Sequence, residues 1–193
     1  ITIISGDDES LVAEAVAETL GAVDHRVLQI DASSLAGSAL TGGGDVPHDR
    51  TDDEIAHGIP DTYVPARNLV FLSMALAVAE TAGARHLYIG VNAVDYSGYP
   101  DCRDTFLQAF EQVANLATKA AVEGAPFTVH APLLDMTKAQ IVRQGLELGV
   151  DFGSTSSCYD PLQDGAHCGT CDSCHLRAAG FLAVGVEDPR TCA

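Results

Sequence analysis

Basic residues are scarce in this chain. Its 193 residues hold 10 Lys and Arg against 27 Asp and Glu, a formal charge of −17, and Lys119 and Lys138 are its only lysines. The absence of a basic stripe or patch argues against a broad nucleic-acid or anionic-membrane footprint, because both need clustered cations to meet phosphate. Long hydrophobic runs are missing too. None approaches the ~18 residues that span a bilayer. No secretory-signal pattern opens the chain, and it carries neither an internal repeat nor a low-complexity segment. The acidity fits a soluble enzyme of small molecules and also a protein adapted to high salt. Hydrophobic residues make up 47%, ample for a core. The length suits one α/β domain with a small appendage.

Among what is present, a cysteine cluster is the most specific feature. Cys158, Cys168, Cys171 and Cys174 read C-x9-C-G-T-C-D-S-C. One loop and one short knuckle can thus deliver four thiolates to a single tetrahedral ion, the requirement of a structural zinc site. A pair of disulfides is the competing reading. C-x2-C cysteines are poorly placed to bond each other, and no secretory signal accompanies them. A site with four thiolates is closed, so its metal holds structure and the chemistry lies elsewhere. Cys102 and Cys192 stand outside the cluster, and with a thiolate metal site they point to a reducing cytoplasm.

The rest of the chain alternates strands and helices. Ile1 to Ile4 reads as a buried strand ending in a Ser5-Gly6 turn. Asp7 to Leu20 reads as a helix with Leu11, Val12, Ala15, Val16 and Leu20 on one stripe, closed by Gly21. Arg26 to Asp31 is a second expected strand. Ala36 to Pro60 lacks periodicity and reads as a long mobile loop or lid. Pro65 opens a helix to about Ala82, buried on most sides and stopped by Gly83. His86 to Asn92 is an expected central strand. Asp104 to Ala121 is an amphipathic helix, Phe127 to Ala131 a strand, and Thr137 to Leu148 a helix stopped by Gly149. A short helix from Asp172 to Ala179 and an irregular tail follow. This alternation predicts a parallel sheet with helices on both faces. In such sheets ligands bind beyond the carboxyl ends of the strands, where the loops Ser5–Ser10, Asn92–Cys102 and Ala131–Lys138 fall.

Four segments have the composition of a site. Asn92 to Cys102 (NAVDYSGYPDC) concentrates carboxylates, phenols, an amide and a hydroxyl directly after an apolar strand, the make-up of an orienting pocket wall or of an ordinary polar βα loop. Tyr63 to Asn68 (YVPARN) places Arg67 in a first helical turn, where backbone N–H groups already favour anions. Arg67 can clamp a carboxylate or phosphate bidentately, or pair with a local acid. Lys138 starts a helix capped by Thr137 or Asp135. A cation there opposes the helix dipole unless an anion lies between, so it reads as a phosphate contact or a solvated lysine. Ser5 to Ser10 (SGDDES) occupies the usual place of a phosphate-cradling loop, but its acids read better as a cap that complements the dipole.

Taken together these stretches resemble the 7-cyano-7-deazaguanine synthase family. The resemblance rests on YVPARN at Tyr63–Asn68, GVNAVDYSGYPDCR at Gly90–Arg103 and the FEQVANLATKAAVEG helix from Phe110. It rests equally on HAPLLDMTKAQIV at His130–Val142 and SCYDP…CGTCDSCHLRAAGF at Ser157–Phe181. It runs from about Ser38 to Pro189. The resemblance implies a Rossmann-like α/β fold of the adenine nucleotide alpha hydrolase/PP-loop type with a small C-terminal helical zinc-binding subdomain. Residues 1–150 would form the nucleotide- and substrate-binding domain and residues 151–193 the zinc-binding subdomain. It implies ATP-dependent conversion of 7-carboxy-7-deazaguanine and ammonia to 7-cyano-7-deazaguanine through an acyl adenylate and an amide, toward queuosine or archaeosine. Zinc on the four cysteines, ATP with magnesium, a homodimer and a cytoplasmic location are implied as well. Carried onto this chain, Arg67, Lys138 and Asp95 are expected to act in catalysis, and Ser5, Gly6, Ser10, Arg67 and Lys138 to bind ATP. Asn68, Asn92, Asp95, Tyr96, Ser97 and Asp101 are expected to face the deazaguanine, whose ring edges need donors and acceptors.

The amino-terminal stretch departs from the family pattern. The PP-loop of the family reads S-G-G-x-D-S. Here Ser5, Gly6 and Ser10 fall in register, while Asp7 replaces the second glycine and Glu9 the aspartate. A side chain and a negative charge then stand where backbone approaches phosphate. The family also has a further βα unit of about 25–30 residues before Arg26. Two explanations stay open at this level. Either the true loop lies in residues not included in this stretch, or the deletion is real and the protein is an ATP-defective paralogue that binds a deazapurine without catalysis.

Overall fold

A computed structural model describes residues 13–14, 16–28, 36–42, 44–92 and 98–190. Residues 13–14 and 16–19 are helical, and Gly21 ends that helix in the left-handed region at φ 64°. Of the expected stripe, the two described members, Val16 and Leu20, are exposed, while Ala17 is buried. Leu11, Val12, Ala15, the expected strand Ile1–Ile4 and residues 29–31 lie outside the described residues. Residues 26–28 form no strand.

The stretch Ala36 to Pro60, expected as a long mobile loop or lid, contains two capped turns. A 3₁₀ turn, Ala39–Thr41, is capped by Ser38, whose hydroxyl also donates to the Asp61 carbonyl at 3.2 Å. Helix α1 (Asp52–Ile55) carries a capping box in which Thr51 accepts the Glu54 N–H and the Glu54 carboxylate accepts the Thr51 N–H. Such reciprocal bonds satisfy donors that a helix start leaves open.

Helix α2 (Arg67–Ala82) starts two residues after Pro65. Ala66 caps it in the left-handed region at φ 54°, and its N–H donates to the Tyr63 hydroxyl at 3.0 Å. Gly83 closes the helix at φ 75°. Only Leu72, Leu76 and Ala79 of α2 are buried, so it presents one stripe and is not enclosed on most sides.

Strand β1 (His86–Tyr88) pairs in parallel with β2 (Thr128–His130), in the register His86↔Thr128, Leu87↔Val129 and Tyr88↔His130. Both are shorter than the apolar runs that predicted them. Between them run a 3₁₀ turn (Pro100–Cys102), α3 (Asp104–Ala117) and α4 (Lys119–Val122). The expected single helix breaks at Thr118, which is extended at φ −106°, ψ 142°. Side chains of α3 satisfy the backbone of β2: Glu111 accepts the Val129 N–H at 2.7 Å, and Asn115 both accepts from and donates to Phe127. The core is the apolar stripe of α2, the Leu107, Phe110 and Ala114 stripe of α3, and Leu87, Val91, Cys102 and Phe127.

Helix α5 (Lys138–Glu147) opens on a Thr137–Gln140 capping box, and Gly149 follows it at φ 77°. Helix α6 (Asp172–Val184) is longer than expected and packs on α5. The Phe152 ring lies against Gly145, where a Cβ would meet Phe152 Cζ at 2.5 Å, and it meets Phe181 of α6 edge-on at 5.2 Å.

Candidate active site and thiol knuckle

The carboxyl end of β1 opens into a cleft of about 370 Å³. Ile89 to Asn92, which follow the strand, line it. Three helix starts reach its walls: Arg67 and Asn68 from α2, Lys138 from α5, and Asp172, Ser173 and Leu176 from α6. Unpaired N–H groups and the dipole make each helix start favourable to anions. Two of these starts carry a cation as their first residue. Tyr99, Cys102 and Tyr159 complete the lining.

Within the cleft the polar groups hold one another. The Asn92 amide donates to the carbonyls of Leu133 and Met136, and its oxygen accepts from Lys138 Nζ at 3.2 Å. Asn92 thus ties the loop after β1 to the loop after β2 and sets the lysine between them. The Asp101 carboxylate is buried and accepts the Asn68 N–H at 2.9 Å, capping α2 from a loop 33 residues away. The Asn68 side chain donates back to the Asp101 carbonyl at 3.1 Å and to the Cys102 sulfur at 3.2 Å. Burial, with Asp101 beside it, pushes the Cys102 thiol up to about 11, so at neutral pH it is a neutral S–H. Tyr99 bonds Thr62 at 2.8 Å and reaches the Tyr159 hydroxyl at 3.4 Å. Burial first, and Tyr99 second, hold Tyr159 above the ordinary phenol range. It serves as a neutral hydrogen-bonding group.

Arg67, Asn68, Asn92 and Lys138 therefore line one cleft, while Asp101 acts on its wall from behind. Ser5, Gly6, Ser10, Asp95, Tyr96 and Ser97 lie outside the described residues, as does Cys192. Tyr99, Tyr159, Asp172 and Ser173 also line the cleft, though they are not among the residues expected to bind ATP or substrate. Asp172 and Ser173 sit inside the C-x2-C knuckle, and that position was the available signal.

The knuckle itself is assembled as the spacing predicted. The ligand atoms of Cys158, Cys168, Cys171 and Cys174 all lie within 4.8 Å of one another. No disulfide joins these cysteines. Cys158 and Cys168 Sγ are 3.5 Å apart, and Cys168 and Cys174 Sγ 4.0 Å. A tetrahedral ion with sulfur at about 2.3 Å holds its ligands about 3.8 Å from one another, so the four thiols fit a metal ion. Backbone N–H groups point at the sulfurs, from Cys168 to Cys158 at 3.2 Å and from Cys171 to Cys168 at 3.4 Å. Burial raises the Cys168 thiol, but the donors at Thr170 and Cys171 outweigh it and bring Cys168 down to about 6. The segment before α1 straps onto this knuckle. His48 forms a bridge with Cys171 and bonds Thr170 at 2.7 Å and Asp160 at 3.1 Å, and Arg50 pairs with Asp172 at 2.8 Å.

A parallel strand pair, a cleft at its carboxyl end and a four-thiol segment that supplies one cleft wall define an α/β protein with a C-terminal knuckle able to hold a metal ion. The chain belongs to the family described as queuosine biosynthesis protein QueC, of the PP-loop type, whose model matches residues 6–185. It is 61% identical over 177 residues to the 7-cyano-7-deazaguanine synthase of Myxococcus xanthus, covering 92% of this chain and 77% of that protein. It is also 61% identical over 178 residues to the synthase of the same name from Magnetococcus marinus, covering 92% and 77%. Against that of Paramagnetospirillum magneticum it is 58% identical over 181 residues, covering 94% and 80%. No helix among the described residues is long and apolar enough to cross a membrane.

Proposed function

We propose that this chain is an ATP-dependent 7-cyano-7-deazaguanine synthase. The observation that carries the reading is the cleft at the end of β1, where Arg67 and Lys138 each begin a helix. A carboxylate of 7-carboxy-7-deazaguanine attacks the α-phosphorus of ATP and releases pyrophosphate. Ammonia then displaces AMP and gives the amide. The amide oxygen attacks the α-phosphorus of a second ATP and releases a second pyrophosphate, and loss of AMP and protons leaves the nitrile. Both activations bring anions together, and they need cations and N–H donors fixed in advance. Arg67 suits bidentate contact with carboxylate or phosphate, and Lys138, steered by Asn92, supplies a second positive charge.

Several finer features belong to the same reading. Ser5, Gly6 and Ser10 are the positions that would cradle phosphate, and Asp95, Tyr96, Ser97, Asn68, Asn92 and Asp101 frame the deazaguanine side. Zinc is the ion that the four thiolates suit, and it would hold the knuckle without entering the reaction. Magnesium accompanies ATP. Residues 1–150 carry the nucleotide and substrate and residues 151–193 the metal. The active form is a cytoplasmic homodimer, and its product serves queuosine or archaeosine in tRNA.

The test is AMP release from ATP in the presence of 7-carboxy-7-deazaguanine and ammonia, with the nitrile followed by mass spectrometry. Arg67→Ala and Lys138→Ala are each expected to lower kcat/KM about 10- to 100-fold, the worth of a charge-assisted hydrogen bond. Wild-type protein that releases no AMP with all three substrates would refute the assignment.

A further inference from the structure

We infer that Asp172 is a specificity-determining residue of the cleft, placed to accept N–H donors from the heterocycle bound there. Asp172 lines the cleft beside Ser173 and Tyr159. Its side chain is only 8% exposed. One carboxylate oxygen, Oδ2, accepts from Arg50 at 2.8 Å. The other, Oδ1, is enclosed and has no partner. Buried polar atoms in native folds are almost always paired, and an unpaired carboxylate oxygen is among the costliest exceptions. Neither the backbone of α6 nor any other described group supplies the missing donor.

The surroundings say what kind of ligand fits. Arg67 and Lys138 offer the cleft positive charge for an anionic end. Asp172 offers an acceptor whose plane is fixed by Arg50 and by its position directly after the ligand Cys171. A molecule with a carboxylate or phosphate at one end and N–H donors at the other satisfies both. The deazaguanine ring has such an edge: a ring N–H and an exocyclic amine side by side. The inference rests on the proposed substrate and adds which atom of this chain reads its amino-pyrimidinone edge. The same carboxylate leaves a keto-pyrimidine without the amine one donor short, and a site built around a hydrogen bond rejects the analogue that cannot make it.

The test is calorimetric titration of the metal-loaded wild type with 7-carboxy-7-deazaguanine and with its analogue lacking the 2-amino group. The wild type is expected to bind the amino compound about 10- to 100-fold more tightly, the range for a hydrogen bond to a charged group. In Asp172→Asn that preference is expected to fall below about threefold, with zinc content and ATP affinity unchanged. Equal binding of the two compounds by the wild type overturns the inference alone, and so does an undiminished preference in metal-loaded Asp172→Asn. Binding of neither compound overturns the substrate reading and this inference with it. Equal binding by the wild type overturns the inference even where the variant loses its metal.

Discussion

Arg177 is the most heavily engaged side chain of the C-terminal segment. Its guanidinium makes two bonds to the Asp188 carboxylate, at 2.7 and 2.8 Å, and donates to Thr155 and to the Phe152 carbonyl. It also lies 5.2 Å from the Phe181 ring centre. Both ends of the pair are buried, at 8% and 5% side-chain exposure. Removing one partner leaves an uncompensated buried charge, so Arg177→Ala is expected to cost about 3–5 kcal/mol in urea unfolding. Burial alone would raise the Asp188 carboxyl. The Arg177 bonds and the Arg190 N–H outweigh it and hold the carboxyl below its usual range. A depressed carboxyl contributes stability that is present above the unfolded value of about 3.9 and is lost as pH falls through the folded one. Acid unfolding of the wild type should therefore fall below about pH 4 at this site, and Arg177→Ala should unfold at higher pH. An unmoved acid limb in the variant would show that the pair contributes nothing to the pH response.

At the scale of elements, the cleft depends on how closely α6 meets α5. Gly180 of α6 lies against the first residue of α5, where a Cβ would stand 2.9 Å from Lys138 Cβ and 3.3 Å from its carbonyl carbon. Backbone cannot yield there as a side-chain tip can. Gly180→Ala is therefore expected to cost about 1–3 kcal/mol by overpacking and to displace Lys138. Its signature is a rise in KM for ATP alongside the loss of stability. Unchanged melting temperature and unchanged KM would mean that the helices separate freely. The knuckle couples to the same wall, because Cys171 caps the helix on which Asp172, Ser173 and Leu176 face the cleft. These elements were largely legible in the sequence. The Thr137 cap, the Gly83 and Gly149 stops and the 3.6-residue stripe of α3 all appear where local patterns placed them. Three others differ. Thr118 breaks one amphipathic run into α3 and α4, as its hydroxyl donates to the Ala114 carbonyl and the Ala120 N–H turns to Glu80. The segment after Ala36 gains order from bonds to Thr170, Cys171 and Asp172, partners more than a hundred residues away that no local window contains. Helix α2 keeps one buried stripe among alanines that fit exposed and buried faces alike.

At the scale of the whole molecule, a net charge of −17 on 193 residues sets acid against acid across the surface. Self-repulsion of this kind destabilises the compact state, and the Debye length shrinks from about 10 Å at 0.1 M salt to about 3 Å at 1 M. The melting temperature is expected to rise between those two salt concentrations. A flat or falling melting temperature would mean that the acids are neutralised locally, as Asp188 is by Arg177. The α/β alternation, the four metal-competent thiols and the cations Arg67 and Lys138 at helix starts follow from the sequence alone, because caps, periodicity and ligand spacing are encoded within a few residues of one another. Tertiary packing alone makes Asp101 cap α2, lets Asn92 steer Lys138, and puts Asp172 on the cleft wall with one enclosed oxygen unpaired. Those roles depend on which donors and acceptors the packing brings together across 33 to 122 residues of chain, and at that range no local pattern fixes a partner.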